Sequence, residues 1–215
     1  MVAEMLGVDP DSIPEDYRPR YNIAPTDPHF IVTSKYEQRR AARARWGLVN
    51  SWAHDNSRAA ACINAKAETI DTRGAFREAF TQRRCVVPAD GFYEWIGPKS
   101  ARLPIRFHRK GGGLLLFAGL YESWFPEKNL PQMTFTIITC APNAAIAPIH
   151  NRMPVVLDER ATDDWMNPLE RDLLSLKRLL VPAPDDALMA SPASPLVNSV
   201  KNDGPELLAA PANLL

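Results

Sequence analysis

Residues Arg84 to Trp95 read RCVVPADGFYEW. The stretch is two short runs rich in valine and aromatics, separated by Asp90-Gly91. Valine and aromatic residues suit a pleated, half-buried surface, and Asp-Gly suits a tight turn, so the pattern predicts strands at 84–88 and 92–96 with a turn between them. Working outward, the same texture repeats. Downstream it predicts strands at 104–109, 114–121 and 134–140 and a short one at 154–157, with turns at 110–113 and 126–131. Upstream, 29–33 and 41–46 read as strands. Residues 61–69 (ACINAKAET) alternate with period two, placing Ile63, Ala65 and Ala67 on one face and Asn64, Lys66 and Glu68 on the other.

Helical patterns are fewer. Asp71-Thr72 offers an N-cap to a helix over 73–83, in which Phe76 and Phe80, four apart, face the core. Helices are also predicted over 159–166 and 169–180. Residues 1–6 read as the last turn of a helix, with Gly7 as its C-terminal cap. Residues 181–195 read as a Pro/Ala/Ser loop, and 196–208 close the domain. Many strands at short spacing, with helices between some and after others, predict a single α+β domain with mostly antiparallel pairing.

Bulk properties exclude several classes. The 215 residues carry 25 basic and 25 acidic side chains, so global charge names no partner. No apolar run is long enough to span a bilayer, and Met1-Val2-Ala3-Glu4 does not open a secretory signal. Three widely spaced cysteines, Cys62, Cys85 and Cys140, fit neither a disulfide framework nor a zinc site and suit the reducing cytoplasm. Local charge is more informative. Lys35, Arg39, Arg40, Arg43 and Arg45 form a basic run, whereas acids gather between Glu4 and Asp16. Such a run is either a phosphate-binding groove or a solvated strand.

Four stretches place polar groups where a plain strand or loop has no need of them. Asn64 and Lys66 set an amide beside an ammonium, able to hold a sugar oxygen or phosphate; alone, the pair reads as a solvent-facing strand. Glu94 shares a face with Phe92, opposite Tyr93 and Trp95. It is either an edge-strand carboxylate facing water or a partly desolvated group whose pKa is raised for proton transfer. His150, in APIHNRMP between two prolines, is a candidate general acid or base, although a histidine bonded to nearby backbone is the commoner case. The stretch RYNIAPT around Asn22 lines a groove or merely starts a strand. Trp46 and Trp52, following the arginines, suit stacking plus phosphate contact, though tryptophans at strand ends more often belong to the core.

Together these stretches resemble the SRAP (SOS response-associated peptidase) family. The matching segments, in order, are RYNIAPT (20–26), RWGLVNSW (45–52), INAKAET (63–69), AFREAF (75–80), RRCVVPADGFYEW (83–95), FAGLYESW (117–124), FTIITCAPN (135–143), IAPIHNRMPVVL (146–157) and VNSVKNDGPELL (197–208). The resemblance implies an α+β domain on a barrel-like, antiparallel core with peripheral helices. It implies binding of single-stranded DNA and covalent cross-linking to abasic sites through an N-terminal cysteine, whose amine and thiol close a thiazolidine on the sugar aldehyde. By position it implies that Asn64 places the reacting groups, Glu94 shuttles a proton and His150 assists opening of the sugar ring. It assigns Asn22, Arg43, Arg45, Trp52, Lys66 and Arg152 to the DNA groove. No metal or cofactor is implied. Lys66 stands where the family usually has arginine, which keeps the charge but not a bidentate grip.

One departure matters. The family's opening MCGRF-like stretch is absent, and the second residue is Val2. The expectation is therefore a single domain over 1–215 whose lead segment, with its cysteine, is missing. Two other readings stay open: a DNA-binding module without the nucleophile, and a cysteine hydrolase using Cys140 or Cys62 with His150.

Overall fold

The computed structural model describes residues 2–36, 38–98, 101–127 and 130–209. Readings that fall on Met1, Glu37 and 128–129 lie outside these. The strands are β1 (Pro28–Lys35), β2 (Gln38–Trp46), β3 (Asn64–Lys66), β4 (Arg84–Ala89), β5 (Phe92–Ile96), β6 (Leu103–Arg109), β7 (Leu115–Glu127), β8 (Leu130–Cys140), β9 (Met153–Pro154), β10 (Val156–Leu157) and β11 (Leu188–Pro192). The helices are α1 (Val2–Leu6), α2 (Arg77–Gln82), α3 (Glu159–Met166) and α4 (Leu173–Arg178).

Strands β7, β4, β1, β2 and β8 close on themselves as a five-stranded barrel. Four of its seams are antiparallel; β2 and β8 run parallel. This confirms the α+β, barrel-like expectation, and the parallel pairing continues along the same edge of β8. The chain leaves β8's edge at Trp46, loops through 47–63, and returns to the same edge as β3, again parallel. On the opposite edge β8 takes β7 and then β9, so Thr139 lies between Lys66 and Pro154.

The opening stretch does not fold as a hairpin. β4 belongs to the barrel, whereas β5 pairs with β6 and β6 with β11 in a separate three-stranded sheet. Asp90-Gly91 is the corner between the two sheets. Glycine is required there because a Cβ would lie 2.7 Å from the Phe107 carbonyl oxygen and 2.8 Å from Arg106 Nε. Phe92 then seats the second sheet on the barrel. It stacks on Phe107 at 5.3 Å and meets Phe117 of β7 edge-on at 5.8 Å.

Phe76 and Phe80 are fully buried, as their spacing predicts. Gly7, at φ +59°, ends α1 with Gly7 N–H bonded to Glu4 O and Val8 N–H to Ala3 O, the paired bonds of a Schellman cap. Other elements differ from the sequence reading. Helix α2 starts at Arg77, with Phe76 at its N-cap position, while Asp71 pairs with Lys177 at 2.9 Å. Helix α4 is likewise confined to Leu173–Arg178, capped by Asp172. The strand expected over 61–69 shrinks to three residues between two 3₁₀ turns, although its alternation survives: Ala65 and Ala67 are buried, Asn64, Lys66 and Glu68 exposed. Cys62 is buried in the first of those turns. Strand β11 lies where a loop was expected; it is an edge strand, and edges tolerate Pro192.

Candidate active site

The core-facing side of the second sheet grades from dry to wet along β5. Phe92 packs inside, Glu94 follows opposite Ile105, and Ile96 reaches solvent opposite Leu103. Glu94 therefore stands at the rim of the core, with 22 % of its side chain exposed. Burial pushes its carboxyl above the ordinary 4.5, and His150 opposes this only in part.

His150 approaches from the loop after β8, and that loop is held at several points. The buried Asn143 amide donates to Ala183 O and Pro184 O, and Ile146 is fully buried. The N–H groups of Ile149 and His150 both bond Ile146 O. The result places His150 Nδ1 3.5 Å from Glu94 Oε1. Arg152 offers the same ring nitrogen two backbone partners. Its carbonyl oxygen lies at 3.0 Å and accepts from one tautomer, and its N–H lies at 3.2 Å and donates to the other. Trp95, Ile96, Gly97, Arg102, Pro148 and Ile149 join Glu94 and His150 around an open cleft of about 390 Å³. A half-buried carboxyl beside a half-exposed imidazole at such a cleft can pass a proton to or from a bound group.

Asn64 and Lys66 project from β3, exposed and free of side-chain hydrogen bonds among the described residues. Two residues on, Glu68 makes a bidentate pair with Arg152, at 2.6 and 2.9 Å. Arg152 also donates to Thr139 O on β8, which lies between them. The segment carrying Asn64 and the loop carrying His150 are thus joined through Glu68 and Arg152.

The remaining predicted DNA-contacting residues are more dispersed. Trp52 is 68 % exposed on a turn, open to stacking. Arg43 pairs with Asp16 at 3.2 Å and lies over Phe30, while Arg45 donates to Thr26 O. The acidic N-terminal loop thus folds onto part of the basic strand. Asn22 is buried. Its amide donates to Val197 O, Ser199 O and Asn202 O, which assigns it to packing rather than to an exposed groove. Cys62, Cys85 and Cys140 are all buried, and burial raises each thiol, Cys140 to about 11. At neutral pH they are protonated, which gives an internal-cysteine hydrolase no activated nucleophile.

Sequence reasoning missed the clamp that holds the back of β5. Asp203 accepts from Tyr21 N–H, Asn22 N–H and Arg20 Nε, Tyr93 Oη donates to Tyr21 O, and Trp95 Nε1 donates to Asn198 Oδ1. The signal was present only as two polar segments, RYN and VNSVKND, 175 or more positions apart, whose pairing no local pattern reveals. Burial pushes the Asp203 carboxyl up, but Arg20 and the two amides outweigh it, so its pKa is lowered. Its stabilisation is present above 3.8 and is lost as pH falls through the lowered value. Asp203→Asn is expected to cost about 1–3 kcal/mol at pH 7 in urea unfolding, with the gap to the parent closing in acid. Equal stabilities at pH 7 would contradict the clamp.

A model of the SOS response associated peptidase (SRAP) family matches residues 2–200. The abasic site processing protein YoqW of Bacillus subtilis is 40 % identical over 210 residues, covering 96 % of this chain and 93 % of that protein. The abasic site processing protein HMCES of Gallus gallus is 31 % identical over 224 residues, covering 89 % of this chain and 66 % of that protein. Among solved structures, a Bacteroides thetaiotaomicron protein superposes with TM-score 0.76 at 25 % identity, over 86 % of this chain and 82 % of its own. A phage-related protein from Bordetella bronchiseptica gives 0.67 at 28 %, over 89 % and 88 %. Barrel, second sheet and ordered motifs agree with these matches: the chain belongs to the SOS response associated peptidase family.

Proposed function

We propose that this protein acts at abasic sites in single-stranded DNA, capturing the ring-opened sugar covalently. The observation that carries the reading is the pairing of Glu94, its pKa raised by burial, with His150 at 3.5 Å on an open cleft. Relatives named abasic site processing proteins at up to 41 % identity support the substrate.

In this reading His150 assists opening of the deoxyribose to its aldehyde. The amine of an N-terminal cysteine adds to C1′, and the carbinolamine hydroxyl leaves as water after taking a proton from the Glu94 carboxyl. The cysteine thiol then adds to the imine carbon, giving up its proton as the imine nitrogen gains one, and the thiazolidine closes. The balance is one aldehyde and one cysteine to one thiazolidine and one water. Asn64 orients the sugar, and Lys66, Arg43, Arg45 and Trp52 hold the strand.

The test is a denaturing gel after incubation with an abasic single-stranded oligonucleotide, using this chain and a cysteine-led form of it. A covalent band with the cysteine-led form, lost in its Glu94→Gln variant, is expected. Absence of both cross-link and binding overturns the reading. Salt titration adds a second check. Lys66→Ala should flatten the slope of log K against log salt by about 0.7, the share of one phosphate on a single strand.

A further inference from the structure

We infer that Glu68 is a positioning residue that sets His150 against Glu94 by holding Arg152. The inference rests on reading this cleft as the reactive site, but its geometry is independent of the substrate. Two short segments flank Thr139 of β8. On one edge β3 ends at Lys66 and turns into the 3₁₀ segment carrying Glu68; on the other, β9 starts just after Arg152. Neither β3, with three residues, nor β9, with two, has many ladder bonds to fix it. Arg152 reaches past β8. It donates to Thr139 O and grips both oxygens of Glu68 across the strand. Its backbone carbonyl or its N–H, according to the ring's tautomer, meanwhile holds His150 Nδ1. The ring's place is therefore set from Glu68 through Arg152, and Glu68 also sits on the segment that presents Asn64.

Burial separates this role from a purely stabilising one. Half of the Glu68 side chain is exposed, 52 %, and ion pairs so placed contribute little to stability. The Arg152 guanidinium is less exposed, at 21 %, and its buried Nε has no partner among the described residues, so without Glu68 only Nη2, through its bonds to Thr139, still holds the fork. Arg152 is also a candidate phosphate contact. Its fork faces a carboxylate in the free protein, so Glu68 both orients it and competes with a phosphate for it. Loss of Glu68 should then disturb His150 while strengthening attraction for DNA. A merely structural residue would weaken both together.

The experiment uses the DNA-free protein first. Ring nitrogen NMR of His150 is followed in the parent and in Glu94→Gln, then in Glu68→Ala with and without Glu94→Gln, each checked by thermal melting. The Glu94→Gln exchange is expected to move the His150 resonances in the parent and to move them less than half as far once Glu68 is gone. An undiminished response in a folded Glu68→Ala protein overturns the inference, whatever the protein does to DNA. Affinity for single-stranded DNA bearing a stable tetrahydrofuran abasic analogue is the second arm. It is expected to tighten about 3–10-fold in Glu68→Ala at low salt, and Glu68→Gln, which keeps one acceptor oxygen, to fall between. Weaker binding by a folded Glu68→Ala protein overturns the competition. If the parent does not bind DNA, the proposed function fails and the NMR arm still decides the role of Glu68.

Discussion

Exchange of Arg84 for methionine is expected to lower the unfolding free energy by about 3–5 kcal/mol, the cost typical of breaking a buried charged hydrogen-bond cluster. Arg84 opens β4, is buried, and has no carboxylate partner among the described residues. Five carbonyl oxygens take its place: Phe80 and Thr81 from the last turn of α2, Trp165 and Asn167 at the end of α3, and Glu170 beyond it. Helix C-termini carry partial negative charge and orphan carbonyls, so two helix ends directed at one guanidinium satisfy both the cation and the helices. Burial lowers its pKa to about 10, which leaves it charged at neutral pH. Methionine restores volume but leaves the carbonyls unpaired, two of their bonds lying in buried surroundings. For a chain of this length the loss corresponds to roughly 6–20 °C in Tm. Arg84→Lys should recover part of it, since one ammonium cannot serve five acceptors. A Tm for Arg84→Met within about 2 °C of the parent would refute the clamp.

Arg84 also marks where sequence reading stops. Strands, the glycine corner and the buried Phe76 and Phe80 follow from periodicity, because each depends on neighbours a few residues away. The placement of Arg84 depends on carbonyls more than 80 positions along the chain, and on sequence alone it reads only as the first residue of a strand. Asp71 is a related case. A cap by local preference, it pairs with Lys177, 106 positions away. The candidate site divides in the same manner. Period two places Glu94 beside Phe92 correctly, but its desolvation comes from β6 and from the loop pinned by Asn143. Asn22 shows the converse: a polar residue in a polar motif that is buried and satisfied internally.

These placements explain why so small an element as β5 can carry a perturbed carboxyl. Its outward face is fastened by Tyr93 to Tyr21 and by Trp95 to Asn198, and its inward face by Phe92 to the barrel. Glu94 is fixed from both sides and from the loop above. A carboxyl that is held in a half-dry place cannot relax towards water, so the raised pKa persists.

Glu94→Gln is expected to slow covalent capture of an abasic oligonucleotide by a cysteine-led form of the chain about 10²–10⁴-fold, the range for loss of a general acid or base. The same substitution is expected to leave the fold as stable or more stable at pH 7. The sign follows from linkage. With its folded pKa above the ordinary 4.5, Glu94 binds its proton more tightly in the folded than in the unfolded state. Stability therefore declines as pH rises from 4.5 through the raised value, and a neutral amide removes that decline. Urea unfolding at pH 5 and pH 8 should show the parent losing more stability between the two than Glu94→Gln does. Opposite signs for activity and stability are what a strained catalytic carboxyl gives, whereas a carboxylate that merely braces His150 would lose both. If Glu94→Gln keeps its cross-linking rate within threefold while losing stability, Glu94 is a structural partner of His150 and the proton transfer must be assigned elsewhere in the cleft.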